Sequence, residues 1–239
     1  MSTNRLVRLL GLGVALLAAP VIASADVLNF TFNGTANQAN NGYIINQAVS
    51  FTFTLKSFGP IMPAGIATAG NRYEWFDEDS DFDPDLFASV SGTGLSGTWT
   101  RPATFNYSPY SRIIAYATGE LAFLAATDSF RVNDTGLTAN GQGFRELFFS
   151  ATLTGLSTAL GPITITLPDP TDYFGANLIG NYAVASQNIA YLFTSGPNTT
   201  TNFTLTSLTI SAVPEPSSYA AIAGAIALGG VLVRRRRRA

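Results

Sequence analysis

Apolar and polar residues alternate along most of the chain. Val49, Phe51, Phe53 and Leu55 interleave with Ser50, Thr52, Thr54 and Lys56, the period-two pattern of a strand with one buried and one wet face. Phe30-Thr31-Phe32, Ile163-Thr164-Ile165-Thr166-Leu167 and Phe203-Thr204-Leu205-Thr206 repeat it. Residues 113–117, 121–125, 147–153 and 189–193 are further strand candidates, and 203–212 reads as the last strand. Threonine suits such strands, because a β-branched side chain packs well on a pleated surface. Between the runs lie the turn signals Asn33-Gly34, Asn41-Gly42, Asn140-Gly141, Gly161-Pro162 and Gly196-Pro197. Residues 173–185 fit a short helix and a loop equally well. Many short strands punctuated by Gly, Pro and Asn predict an all-β antiparallel domain, a β-sandwich or jelly roll, over residues 26–212. No repeat of solenoid or propeller length is visible.

The two ends break the pattern. Arg5 and Arg8 precede the apolar run 9–19, and Ala23-Ser24-Ala25 follows. A charged start, an apolar middle and a small-x-small site are the parts of a secretory signal peptide. Cleavage is expected after Ala25, with Ala23 and Ala25 as the small residues that signal peptidase requires, and export through the Sec translocon. At the other end Val213-Pro214-Glu215-Pro216-Ser217 leads into residues 217–233, which carry no charge, and then into Arg234, Arg235, Arg236, Arg237 and Arg238. Neither proline can donate a ladder hydrogen bond, so a strand must stop there. As a helix the 17 residues 217–233 span about 26 Å at about 1.5 Å each. That is just short of a hydrocarbon core of about 30 Å, a gap that snorkelling arginines can close. The reading is a single transmembrane helix with its arginine end on the cytoplasmic side.

The tail resembles the PEP-CTERM sorting signal of Gram-negative bacteria. The resemblance covers residues 213–238 and rests on the Pro-Glu-Pro motif, the short Ala/Gly-rich span and the terminal arginines in that order. It implies recognition by exosortase, a membrane-embedded cysteine protease, after an inner-membrane intermediate. It further implies removal of the tail and delivery to the cell surface or an exopolysaccharide matrix. It carries no agreed activity for the domain ahead of the tail. The competing reading of the same residues is a plain membrane anchor that is never cut.

Charge and composition then narrow the chemistry. Residues 26–212 hold six basic side chains (Lys56, Arg72, Arg101, Arg112, Arg131, Arg145) against 14 acidic ones, a net charge of −8, although the whole chain is only −2. Such a domain repels nucleic acid, and no nucleic-acid partner is expected. The chain has no cysteine and no histidine. That removes disulfides, thiol nucleophiles, Ser-His-Asp catalysis and imidazole metal ligation. Lys56 is the one lysine and no Ser-x-x-Lys precedes it.

One stretch is dense in carboxylates: residues 74–85 contain seven acids in 12 positions, among them Asp77, Asp79, Asp81 and Asp83. A curled loop could aim these at a hard cation. An EF-hand is excluded, because the sixth position counted from Asp77 is Phe82 and the twelfth is Ala88. Calcium at Asp77, Asp79, Asp81 and Asp83 is the single cofactor candidate, against the simpler reading of a solvated acidic loop. Tyr73, Trp75, Phe76 and Phe82 flank the loop, with Tyr107 and Tyr110 beyond; rings of this kind stack on sugars or fill a core. Glu120 and Glu146 are the isolated glutamates that a two-carboxylate glycosidase would need. Six Asn-x-Ser/Thr triplets occur, at Asn29, Asn33, Asn106, Asn133, Asn198 and Asn202. The leading expectation is a non-enzymatic structural or adhesive domain at the surface or in the matrix. A calcium-assisted glycan-binding module comes second and a carboxylate glycosidase third.

Overall fold

Phenylalanine marks the buried face of half of the twelve strands among the described residues. In β1 (Leu28–Ala36) the positions alternate strictly, with Leu28, Phe30 and Phe32 inside and Asn29, Thr31 and Asn33 half-exposed. β2 (Ala48–Leu55) does the same with Val49, Phe51, Phe53 and Leu55. The computed structural model describes residues 27–56, 63–76, 86–99, 111–126, 136–195 and 198–213. After β2 come β3 (Ala64–Thr68), β4 (Arg72–Phe76), β5 (Phe87–Gly92), β6 (Leu95–Gly97), β7 (Ser111–Tyr116) and β8 (Glu120–Ala126). The remainder are β9 (Leu137–Ala139), β10 (Gln142–Leu153), β11 (Gly180–Ser195) and β12 (Asn198–Ala212).

The strands join in the order β3-β4-β7-β8-β10-β11-β12-β1-β2-β5, with β6 and β9 paired beside β10. Every pairing along this order is antiparallel. The protein is therefore all-β and antiparallel, built on one continuous sheet curled into a half-barrel. Its two halves face each other across an aromatic interior. Phe30 and Phe53 meet Phe123 at ring-centre distances of 4.9 and 5.4 Å, and Phe32 and Phe51 meet Phe149 at 5.1 and 5.3 Å. These are the separations at which tilted and edge-to-face rings attract.

β11 links the halves, because it pairs with β10 over most of its length and with β12 only near its ends. Where β11 leaves β12, the Gln187 side chain takes over the missing ladder. Its Nε2 donates to the Phe203 carbonyl at 2.7 Å and its Oε1 accepts from the Leu205 N–H at 2.6 Å. A bulge in β12 at Thr206/Ser207 keeps Phe203 and Leu205 on one side of it, and Leu208 and Ile210 on the other, all facing inward.

The connection from β10 to β11 packs against the aromatic interior. Its helical turns are Leu156–Ala159, Pro170–Tyr173 and Ala176–Leu178. Phe174 bridges the halves, with its ring 5.4 Å from Trp75 and 5.3 Å from Phe30. The strand expected over 163–167 is instead part of this connection. Pro162 and Pro168 bracket it, and no strand ladder forms: the Ile163 carbonyl accepts from the Gly70 N–H at 3.0 Å, and Tyr73 Oη accepts from the Thr164 N–H and pairs with the Thr164 hydroxyl, both at 2.7 Å. Ile165 is left 81% exposed. The ambiguous 173–185 segment resolves into a helical end, a 3₁₀ turn and the start of β11.

The turn signals divide in the same way. Asn41-Gly42 and Asn140-Gly141 turn the chain with positive φ at both residues, the second of them closing the β9–β10 hairpin. Asn33-Gly34 does not turn; it lies inside β1 opposite the bulge. A side chain on Gly34 would stand 2.2 Å from the Thr204 carbonyl oxygen, so glycine serves a close approach there. The expected last strand is β12, and the Val213 N–H still donates to the Val27 carbonyl at 3.0 Å. The two described ends of the domain thus leave it side by side.

Candidate functional site

The described acidic side chains on strands lie on β4, β8 and β10, and each is answered locally. Glu74, 5% exposed, sits mid-strand in β4 with Arg72 Nη2 at 3.1 Å and Arg112 Nε of neighbouring β7 at 3.2 Å. Two cations around one buried carboxylate offset its desolvation. The Arg112 Nε contact is an ion pair rather than a directed hydrogen bond. Glu120 Oε1 accepts from the Ser150 hydroxyl at 2.5 Å and from Asn188 Nδ2 at 2.6 Å. Glu146 Oε1 accepts from the Tyr191 hydroxyl at 2.5 Å. Burial, then that hydrogen bond and the Glu146 charge, push the Tyr191 phenol above its ordinary value. Phe148 stands edge-on to Tyr191 at 6.0 Å, and the Arg145 guanidinium lies over Phe193 at 5.2 Å.

Glu120 and Glu146 do not meet. Glu120 pairs with Thr152, and Ala126 pairs with Glu146, which sets them six residues apart along β10. At about 3.3 Å per residue that is about 20 Å, whereas hydrolysis between two carboxyls needs about 5 to 9.5 Å. These two glutamates are not a glycosidase pair. Tyr73 and Trp75 are not a sugar platform either. They point inward from β4, Trp75 is fully buried, and its Nε1 donates to the Pro168 carbonyl at 2.9 Å. Phe76, the last residue of β4, is half-buried. Phe82, Tyr107 and Tyr110 lie outside the described residues, as do Asp77, Asp79, Asp81 and Asp83. Among the described residues no cluster of three acidic side chains could hold a metal ion. Ala23, Ala25, Pro214, Glu215, Pro216 and Arg234 to Arg238 are outside them too. Val213 is inside, half-buried at the end of β12.

A buried polar knot closes the far end of β1. Asn41 Nδ2 donates to the Thr199 carbonyl and the Thr201 hydroxyl at 3.2 and 3.0 Å. Its Oδ1 accepts from the hydroxyls of Thr194 and Thr199. Asn140 Nδ2 reaches the Asn41 carbonyl at 2.6 Å, and the Tyr43 hydroxyl donates to the Thr93 carbonyl at 2.6 Å. All four polar sites of the Asn41 amide are used inside the protein, so the knot ties loops together and offers nothing to a ligand.

The least expected surface is the outer face of β11, β12, β1, β2 and β5. None of these five strands carries a charged residue. Asn181, Thr209, Thr31, Thr52 and Ser91 stand directly opposite one another, strand to strand, in a single row. Ser211, Asn29, Thr54 and Ser89 form the next row. The rows are stitched sideways: Ser89 donates to Thr54 at 2.8 Å and Thr54 to Asn29 at 2.7 Å. Thr31 and Thr52 share a bond of 2.9 Å, and Thr209 donates to Asn181 at 2.7 Å. The rows were hidden in the sequence because their members come from five distant segments. The one local sign was the scarcity of charge in the threonine-rich strands.

The fold and these faces define an all-β antiparallel protein whose curled sheet carries an ionic exterior on one half and a hydroxyl exterior on the other. Compared with family models, curated proteins and solved structures, the chain matches none of them. Among the described residues no helix is long and apolar enough to cross a membrane.

Proposed function

We propose that the chain is an exported protein of the cell surface or extracellular matrix. A signal peptide is cleaved after Ala25, a C-terminal helix over 217–233 holds the chain in the inner membrane, and exosortase removes that tail. The domain between acts as a structural or adhesive module without catalysis. The single observation that carries the reading is the order of parts at the C-terminus. Strand β12 runs to Ala212, and Val213-Pro214-Glu215-Pro216, an uncharged span and five arginines follow without a gap. The two prolines hold the backbone extended, the form that a protease grips. The arginines stop the span sliding through. The facing halves of the sheet support a finer description of the domain as a sandwich-type variant of the curled sheet.

The test is a pair of variants followed by cell fractionation. Glu215→Ala, or deletion of residues 234–238, is expected to leave full-length protein in the inner membrane or misplace it, while the unaltered protein moves outward without its span. Recovery of peptides from 219–233 in the surface fraction of the unaltered protein makes the tail a permanent anchor and removes the sorting reading.

A further inference from the structure

We propose that the hydroxyl face of β11, β12, β1, β2 and β5 binds a soluble, uncharged polysaccharide chain lying across the strands. The row Asn181, Thr209, Thr31, Thr52, Ser91 presents one hydrogen-bonding side chain per strand over five consecutive strands. Adjacent strands lie about 4.8 Å apart, a spacing close to the length of one hexose unit, so a chain crossing the sheet meets a donor or acceptor at each sugar. Every row member is half-exposed or exposed. Lateral bonds hold Asn181 to Thr209 and Thr31 to Thr52 before anything binds, which lowers the ordering cost. Each hydroxyl in such a bond keeps a free lone pair for an incoming sugar hydroxyl.

Charge selects the occupant. Residues 26–212 carry a net charge of −8, so an acidic polymer is repelled by the domain as a whole, and a second copy of the chain is repelled too. The face has no cation for a phosphate. Neither row holds an aromatic or arginine anchor of the kind that dominates protein–protein contacts; the outward rings of β11, Tyr191 and Phe193, stand opposite Asn202 and Thr200, away from both rows, and are already engaged by Glu146 and Arg145. A neutral, hydroxyl-rich polymer meets none of these penalties, and no charge has to be stripped of water when it lies down. Shape narrows the choice again. Neighbouring strands rotate by about 20–25° each, so across four strand gaps the row turns through about 80–100°. A flat crystalline surface cannot follow that, whereas a single flexible chain can.

The experiment is affinity electrophoresis on native gels containing dextran, galactomannan or hydroxyethyl cellulose, with alginate as the acidic control. The protein is purified from cells expressing the full chain. At least one neutral polymer is expected to retard it, equally at low and high salt, with no retardation by alginate. Thr52→Glu, a charge in the middle of the row, is expected to weaken retardation at least tenfold. Thr52→Val keeps the shape and loses the hydroxyl, and is expected to weaken it less. Glu146→Gln, on the other half of the sheet, is expected to change nothing. Melting curves by circular dichroism accompany each variant, so that a folding loss is told apart from a binding loss. The proposal is overturned by no retardation in all three neutral polymers, by alginate retarding as strongly, or by a folded Thr52→Glu protein that migrates like the unaltered one. It is also overturned if light scattering shows a dimer that Thr52→Glu dissolves, since the face then belongs to a second copy. The measurement uses purified protein and is blind to sorting, so its failure and the failure of the export reading are separate results.

Discussion

On β4, β7, β8 and β10 the strands carry Arg72, Glu74, Arg112, Glu120, Arg145 and Glu146; on β11, β12, β1, β2 and β5 they carry no charge at all. Yet the two halves contribute alike to one interior, Phe30, Phe32, Phe51 and Phe53 from one side and Phe123 and Phe149 from the other. Burial of rings holds the halves together whatever their outer faces carry, so the exteriors are free to diverge. They diverge in how polarity is satisfied. On the ionic half each carboxylate has specific partners, and losing one strands a charge. On the hydroxyl half the bonds are between neutral groups that water can replace.

That difference predicts unequal costs for comparable deletions. Glu74→Ala leaves two arginines facing each other over a buried position and is expected to lower unfolding free energy by about 3 kcal/mol. The low end of the buried-pair range applies, because the arginine side chains keep 34% and 36% exposure. Thr31→Val, which removes a hydroxyl from the centre of the opposite face, is expected to cost under about 1 kcal/mol. Urea titration of both variants checks the contrast, and equal costs would erase it.

The seam between the halves comes next. Gln187→Leu removes the amide that completes β12, leaving the Phe203 carbonyl and the Leu205 N–H to water. The expected loss is about 1–2 kcal/mol, with faster amide exchange at Leu205 than elsewhere in β12. Unchanged exchange there would mean that the side chain is not holding the seam.

The smallest expected effect is a pH dependence. Burial raises the phenol of Tyr173 to about 12, and a charge on Tyr73 adds to it; burial raises Tyr43 and Tyr191 as well. The folded protein therefore holds these protons where the unfolded chain has begun to release them. The stability they confer is complete below about pH 10 and is lost as pH climbs through the folded-state values. Thermal melts between pH 9 and 12, taken as about the usable range, should show a falling midpoint. Tyr191→Phe should shallow that fall, and an identical slope would remove Tyr191 from the ionic half's account.

Much of this fold was legible because period-two alternation reports burial directly, and β1, β2 and β12 follow it; β7, β8 and β10 were legible as apolar runs, each with three consecutive buried residues. β4 was not legible. Glu74 in the middle of Arg-Tyr-Glu-Trp-Phe reads as the start of the acidic run, and the sequence does not show that Arg112, from another strand, joins Arg72 in making a carboxylate acceptable there. Residues 163–167 alternate as a strand does, but alternation says nothing about the hydrogen-bond partner, which here is Tyr73. Trp75 and Tyr73 looked like candidate sugar platforms because their neighbours are acidic, whereas strand parity turns them inward. The hydroxyl rows needed the strand order, since Asn181, Thr209, Thr31, Thr52 and Ser91 become neighbours only after folding.

The proposed function requires the domain to be delivered outside the cell as a trimmed unit. Intact mass spectrometry of the native protein, recovered from the surface or matrix fraction, tests that directly. The account predicts a chain that begins at Asp26 and lacks residues 217–239, with any attached glycan or anchor appearing as added mass. A mass that includes Met1, or one that retains the 217–233 span and the arginines behind it, would contradict it.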